Sequence, residues 1–160
     1  MNMDWICHYD SPLGGITLAS DGDSLTGLWF DGQRHFAETL SAAHAERDLP
    51  VFGEACRWLD LYFSGMIPDF TPPLNPRGTA FRRAVWTILL TVPYGQTVTY
   101  GKIAEKIGRT SARAVGNAVG HNPVSLIIPC HRVIGADNRL TGYAGGIGRK
   151  EHLLRMEQKK

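Results

Sequence analysis

Thr99-Tyr-Gly-Lys-Ile-Ala-Glu-Lys-Ile-Gly-Arg-Thr-Ser-Ala-Arg-Ala-Val-Gly-Asn-Ala-Val-Gly120 is the stretch that decides how this chain is read. Thr99 is placed to cap a short helix, Tyr100–Ile107, whose inner face carries Ile103 and Ile107 and which stops at Gly108. Thr110 or Ser111 caps a second helix bearing Val115, Ala118 and Val119. That helix ends before Asn122-Pro123, because a residue preceding proline avoids the α region. Two short helices joined by a tight, glycine-containing turn make a helix-turn-helix pattern. Small residues fill the second helix (Ala112, Ala114, Gly116, Gly120), and Arg109 and Arg113 stand at its start. Small side chains let a helix approach another surface closely, while arginines meet phosphates. The segment reads as a recognition helix; the plainer alternative is an ordinary helical pair.

Working outward, Phe81, Val85, Ile88, Leu89 and Val92 form an amphipathic helix stopped by Pro93 and Gly95. Downstream come the apolar run Val124-Ser-Leu-Ile-Ile-Pro-Cys-His-Arg-Val-Ile, a loop Thr141-Gly-Tyr-Ala-Gly-Gly-Ile-Gly148, and a final helix over 149–158. Upstream the chain changes character. Trp5–Tyr9, Ile16–Ser20 and Leu25–Phe30 are short apolar runs separated by Ser11-Pro12, Gly14-Gly15 and Asp21-Gly22, which predicts an antiparallel meander. Phe52, Cys56, Leu59 and Phe63 then recur at helical spacing, making Cys56 a small core hydrophobe. Residues 67–78 hold Pro68, Pro72, Pro73, Pro76 and Gly78 and serve as a linker between a scaffold over 1–75 and a second domain over 78–160.

The 160 residues carry a formal net charge of +2, with 43% hydrophobic and 20% charged residues, a globular composition. No apolar stretch approaches the roughly 20 residues that span a bilayer. Asp4 stands where a signal peptide would be basic, so a soluble cytosolic protein, or a nuclear one in a eukaryote, is expected. The charge is unevenly placed. Residues 1–75 hold 3 basic and 11 acidic side chains, net −8; residues 76–160 hold 14 basic and 4 acidic, net +10. Such asymmetry suggests that the second half meets a polyanion, or else that two oppositely charged halves attract each other.

Three cysteines without a C-x-x-C pair exclude zinc ribbons and thioredoxin-like motifs. Cys7-His8 would ligate a metal only with distant partners, and no metal site is expected. Cys130 differs from the other two, since His131 and Arg132 follow it within the basic half. A thiol needs a base or a positive field to become a nucleophile at neutral pH. Glu157 falls on or beside the apolar face of the last helix, with Leu153 and Leu154, and a carboxylate there needs a partner. With His131 as that partner, Cys130, His131 and Glu157 have the logic of nucleophile, base and orienter. Otherwise Glu157 pairs with Arg155 or Lys159 at the end of the chain.

From Phe81 to Glu157 the sequence resembles the O6-alkylguanine-DNA alkyltransferases. The likeness is carried by Ile128-Pro-Cys-His-Arg-Val133, Pro93-Tyr-Gly, Thr99-Tyr-Gly, Ala112-Arg-Ala-Val-Gly, Asn122-Pro, Gly142-Tyr-Ala-Gly-Gly and Lys150-Glu-His-Leu-Leu. The acidic half matches only in general style. The resemblance implies an α/β architecture: a small ribonuclease H-like amino-terminal domain, then a mainly helical, winged-helix-like DNA-binding domain. It implies a single-turnover reaction on duplex DNA, in which Cys130 takes an alkyl group from O6 of guanine, or O4 of thymine, after the nucleotide is flipped. His131 would act through a water, Glu157 would orient it, and Asn122 would bridge the recognition helix to the active-site loop. Tyr100 would lie at the guanine, while Arg113 would fill the gap left by the flipped nucleotide. Arg109, Ser111, Ala112, Ala114 and Gly116 would line the DNA.

The Val133 carbonyl, Tyr143 and Ala144 would contact the base, and Gly145 would leave room for groups larger than methyl. Lys150 matches a family lysine, although a solvent-facing lysine at a helix start accounts for it equally. The zinc site of some relatives has no full ligand set here, so neither zinc nor another cofactor is expected. Nor is any membrane or obligatory protein partner, and a monomer is the expectation. Two other classes remain open: a DNA-binding module whose cysteine is structural, and a cysteine hydrolase, which leaves the basic half unexplained.

Overall fold

The computed structural model describes residues 3–158. Strands β1 (Asp4–Ser11), β2 (Gly14–Ser20) and β3 (Leu25–Phe30) pair antiparallel where the apolar runs placed them. A fourth strand, β4 (His44–Glu46), lies parallel to β1, so the sheet is mixed, in the order β3-β2-β1-β4, and is not a plain meander. Its three residues carry no alternation to betray it. Ladder bonds hold it there, with Asp4 N–H donating to the Ala43 carbonyl (3.0 Å) and Arg47 N–H to that of Ile6 (3.2 Å).

Helix α1 (Pro50–Phe63) covers the sheet, opening with proline at its first position, where a missing N–H does no harm. Its buried residues are Val51, Phe52, Ala55, Trp58, Leu59 and Tyr62. Cys56 and Phe63, placed on the inner stripe by spacing, are only half-buried. Trp58 and Tyr62, stacked with ring centroids 5.1 Å apart, remove more apolar surface from water than those two, and the helix turns them inward. Cys56 instead meets the Cys7 thiol of β1.

Residues 67–78 form no helix, as their prolines require, yet they are bound to the sheet. Leu25 N–H donates to the Pro73 carbonyl (2.7 Å), and Asn75 N–H donates to that of Leu25 (2.9 Å). Arg77 then makes a bidentate ion pair with the fully buried Asp4, at 2.7 Å to each oxygen.

The second half begins with α2 (Ala80–Leu89), where the Thr79 hydroxyl accepts from Arg82 N–H. This helix is shorter than its apolar pattern suggested, and Val92 is buried from the turn that follows it. Strand β5 (Val98–Thr99) leads into α3 (Tyr100–Ile107), and the turn at Gly108 into α4 (Ala112–Gly120). Thr99 and Ser111 are the caps, accepting from Lys102 N–H and Ala114 N–H. Trp86 anchors α2 to α4 through its indole N–H, which donates to the Ala118 carbonyl (2.8 Å). The chain then returns through a 3-10 turn at Cys130–Arg132 to β6 (Val133–Ile134), parallel to β5, and ends in α5 (Ile147–Gln158).

One hydrophobic core runs through both halves, from Ile16, Leu28 and Leu59 to Trp86, Val115 and Leu153. Loop 123–125 joins the open edge of β3, where Leu28 N–H donates to the Pro123 carbonyl (2.8 Å) and Ser125 N–H to that of Leu28 (2.9 Å). The scaffold sheet therefore fixes the segment that leads to Cys130. No described helix is long and apolar enough to cross a membrane.

Replacing Arg77 by Met leaves the Asp4 carboxylate buried and unpaired. The expected result is a loss of about 3 kcal/mol in urea unfolding, with the transition moved to lower denaturant. A variant unfolding with the wild type would contradict this role for the pair.

Candidate active site

Helix α5 buries three residues on one face: Lys150, Leu153 and Glu157. Two of the three are charged, and each has a specific partner set. The Glu157 carboxylate accepts from His131 Nε2 (2.6 Å), the Tyr62 hydroxyl (2.6 Å), Arg132 Nε and Nη2 (2.8 and 3.1 Å) and Gly95 N–H (3.1 Å). Burial alone would push this carboxyl up, but the hydrogen bonds and charges of His131 and Arg132 outweigh it and hold Glu157 well below the usual carboxylate range. Arg155 instead pairs with Glu151, and Lys159 lies outside the described residues. Glu157 is therefore no frayed terminal side chain.

An ionised carboxylate only accepts, so His131 Nε2 must carry the proton of that bond. Burial is the main cause holding the His131 imidazole below its usual range, so the ring is neutral at pH 7 and Nδ1 presents a lone pair. Nδ1 is buried and has no hydrogen-bond partner among the described residues. His131 thus has the protonation pattern of a general base.

Cys130 opens the same 3-10 turn, behind Pro129, and is 3% exposed. Burial pushes its thiol up, while Asn122, the Lys150 charge and Ser125 draw it back down. The resting group is a thiol that needs a base. Arg132, credited from sequence with supplying positive field to Cys130, has its guanidinium turned to Glu157 and the Val92 carbonyl (2.8 Å) instead. Lys150 fills that place, and the solvent-facing account of it is wrong. It is fully buried, its Nζ donating to the Val133 carbonyl (2.5 Å) and Thr141 Oγ1 (3.1 Å), and burial pushes its ammonium down to about 8.

Asn122 connects the end of α4 to the Cys130 loop. Its Nδ2 donates to the Ile128 carbonyl (2.8 Å), and its Oδ1 accepts from Val124 N–H (3.0 Å). The Tyr100 hydroxyl pairs with Thr141 Oγ1 (2.8 Å), and burial raises its pKa, keeping it a donor. Tyr143 brings its buried hydroxyl beside Cys130 and Ser125 without a well-formed hydrogen bond.

A cavity of about 420 Å³ opens between α4 and the glycine-rich loop, lined by Tyr100, Gly116, Tyr143 and Ala144 with Arg34 and His121. Val133, Gly145 and Lys150, expected as pocket residues, are buried and do not line this cavity. The Val133 carbonyl is occupied by Lys150. A Cβ on Gly145 would stand 2.6 Å from the Tyr143 ring and 3.2 Å from Phe30, so that glycine makes room for protein packing. Arg109, Ser111, Ala112 and Arg113 are exposed together at the start of α4, with Ala114 half-buried beside them. Gly116 lies under the Tyr100 ring, where a Cβ would make ordinary contact at 3.7 Å.

Two contributors escaped the sequence reading, Tyr62 and Gly95. A tyrosine four residues after Trp58 on an apolar helix face is the available signal, because a buried phenol seeks a polar partner. Cys7 and His8 do not come together as ligands: Cys7 faces Cys56, and His8 faces Thr17 (3.3 Å) and Glu46 (3.5 Å).

A buried thiol followed in the chain by a neutral, carboxylate-oriented imidazole is the arrangement found where an enzyme uses cysteine as a nucleophile. The family model for the 6-O-methylguanine DNA methyltransferase DNA-binding domain matches residues 80–159, and the model for its ribonuclease-like domain matches residues 7–76. The methylated-DNA–protein-cysteine methyltransferase of Mycobacterium tuberculosis is 48% identical over 157 residues, covering 94% of this chain and 92% of that protein. Its namesake in Methanosarcina acetivorans is 45% identical over 151 residues, covering 93% and 95%. The structure of Mycobacterium tuberculosis OGT in complex with DNA superposes with a TM-score of 0.86 at 46% identity, over 98% of this chain and 93% of that one. The chain belongs to the 6-O-methylguanine DNA methyltransferase family.

The depressed Glu157 carboxyl makes a prediction in acid. The unfolded chain takes up this proton first, so the stability that Glu157 contributes is complete above about pH 5 and is lost progressively as pH falls from the ordinary carboxylate range towards the much lower value held in the folded protein. Glu157→Gln is expected to be about 3 kcal/mol less stable at pH 7 and to lose less further stability between about pH 5 and 3. Parallel stability–pH curves for the two proteins would contradict the assignment.

Proposed function

We propose that the protein repairs duplex DNA by transferring an alkyl group from O6 of guanine to Cys130. The reading also takes in O4 of thymine, whose alkyl ether presents the same electrophilic carbon. One observation carries it: His131, the residue after the buried Cys130, is bonded through Nε2 to Glu157, leaving its Nδ1 lone pair without a partner among the described residues. In this reading Nδ1 withdraws the Cys130 proton through a water, and Lys150 steadies the thiolate. Sulfur attacks the alkyl carbon in line, the S–C bond forms as the C–O6 bond breaks, and the electron pair passes to the guanine. Tyr100 donates toward the base as that charge develops, an electrostatic role of the oxyanion-hole type. The proton lost by the thiol is balanced by the one that restores guanine, and the thioether ends the protein's activity.

The exposed start of α4 carries the duplex. Arg109, Ser111, Ala112 and Ala114 approach the backbone, and Arg113 replaces the flipped nucleotide, offsetting an unstacking cost of a few kcal/mol. With Cys130 buried, the base reaches sulfur past Tyr143 and the glycine-rich loop, so binding and loop movement are coupled. The reaction needs no cofactor, and the protein works as a cytoplasmic monomer without an obligatory protein partner. Binding weakens with salt, as phosphate neutralisation requires.

Mass spectrometry after incubation with duplex containing O6-methylguanine tests this directly. One added methyl on the peptide bearing Cys130, with guanine restored and no second turnover, is the expected result. Cys130→Ser should bind the duplex and transfer nothing. An unchanged protein mass with the lesion intact would leave the DNA-binding reading; repeated turnover of an ester would favour a hydrolase.

A further inference from the structure

Away from Cys130, three ligating side chains from opposite halves of the chain converge at the rim of the cavity. His35 lies in the loop after β3, Glu38 stands one turn further on, and His121 ends helix α4. His35 Nδ1 is 3.0 Å from Glu38 Oε2, and His121 Nδ1 is 2.8 Å from Glu38 Oε1. The two imidazoles lie against each other, with centroids 3.9 Å apart and planes inclined by 33°. All the ligating atoms fall within 4.8 Å of one another.

We propose that His35, Glu38 and His121 bind a divalent transition-metal ion of the zinc class, which clamps the amino-terminal loop to the end of the recognition helix. Two imidazoles and a carboxylate are a donor set for zinc, cobalt, nickel or copper, whereas calcium and magnesium take oxygen ligands. Bonds of about 2.0–2.1 Å to a tetrahedral ion place neighbouring donors about 3.3 Å apart. The two nitrogen–oxygen contacts, one to each carboxylate oxygen, lie within about half an ångström of that spacing, so turning the Glu38 carboxylate and the two rings brings one oxygen and both nitrogens onto a single ion.

Without the ion, His121 Nδ1–H donates to one oxygen of the carboxylate, and His35 Nδ1 lies 3.0 Å from the other. Binding moves each ring proton to Nε2 and turns both Nδ1 lone pairs onto the metal, which also neutralises Glu38. Backbone geometry points the same way. His35 and Ala37 both adopt positive φ, 60° and 53°, a conformation unfavourable at a non-glycine residue, in the loop that delivers His35 to His121. The side chains of His35, Glu38 and His121 are 27%, 40% and 17% exposed, leaving a path for the ion and room for water as a fourth ligand. This site is separate from the nucleophile and from Cys7-His8, and it takes no part in alkyl transfer.

Cobalt(II) titration of the reduced full-length protein, free of any histidine tag, decides the matter. The expected result is one equivalent bound with the visible bands of a tetrahedral nitrogen–oxygen site and no thiolate-to-cobalt band. Glu38→Gln and His121→Asn should each weaken binding by at least about tenfold, and Cys7→Ser should leave it unchanged. Zinc should raise the Tm of the wild type and not that of Glu38→Gln, which lies on an exposed loop and serves alone if His121→Asn fails to fold. A thiolate band, equal affinity in wild type and Glu38→Gln, or no binding at about 100 μM metal would overturn the proposal.

Discussion

A single carboxylate, buried at the end of the last helix, is the constraint on which the site depends. Glu157 is ionised in a place where an unpaired charge would be very costly, and its donors come from three separate parts of the chain. Tyr62 reaches it from the scaffold helix, Gly95 from the turn after α2, and His131 and Arg132 from the 3-10 turn that begins with Cys130. Meeting that charge therefore assembles the two halves and the active-site turn together. Tyr94 supports the arrangement from below, its ring 5.7 Å from the Arg132 guanidinium, which gives the Pro93-Tyr-Gly segment a purpose beyond ending a helix.

The chemistry follows from the same charge. Because Glu157 can only accept, it fixes which His131 nitrogen holds the proton and leaves the other as a base. Because both Cys130 and His131 are buried, the thiol stays protonated at rest and is protected from adventitious alkylation and oxidation. Lys150 adds a charge that favours the thiolate once the proton has left, while tying β6 to Thr141 in the glycine-rich loop. Ground-state protection and readiness to react thus come from one set of contacts.

The helix-turn-helix could be read directly, because its caps and stops carry their own local chemistry: Thr99 and Ser111 start the helices, while Gly108 and Pro123 end or follow them. The Cys130, His131 and Glu157 set was also legible, since an acidic residue on an apolar helix face demands a partner. What escaped depends on long-range contact. Tyr62 meets Glu157 across 95 positions, and β4 is held only by its ladder to β1. The division of charge into −8 and +10 overstated the surface available to DNA. Arg77 neutralises Asp4, Arg132 neutralises Glu157, and Lys150 is sealed beneath the loop. Arg149 binds the Leu13 carbonyl and covers Phe30. Of the two readings of that asymmetry, the attraction between halves is visible in Arg77 and Arg149, while the arginines at the start of α4 stay exposed.

The central claim concerns a proton position, and nitrogen-15 NMR of the histidines reads it. At pH 7, His131 should appear as a neutral imidazole protonated at Nε2, and Glu157→Gln should disturb that pattern. Finding the wild-type ring protonated at Nδ1, or charged at both nitrogens, would contradict the account.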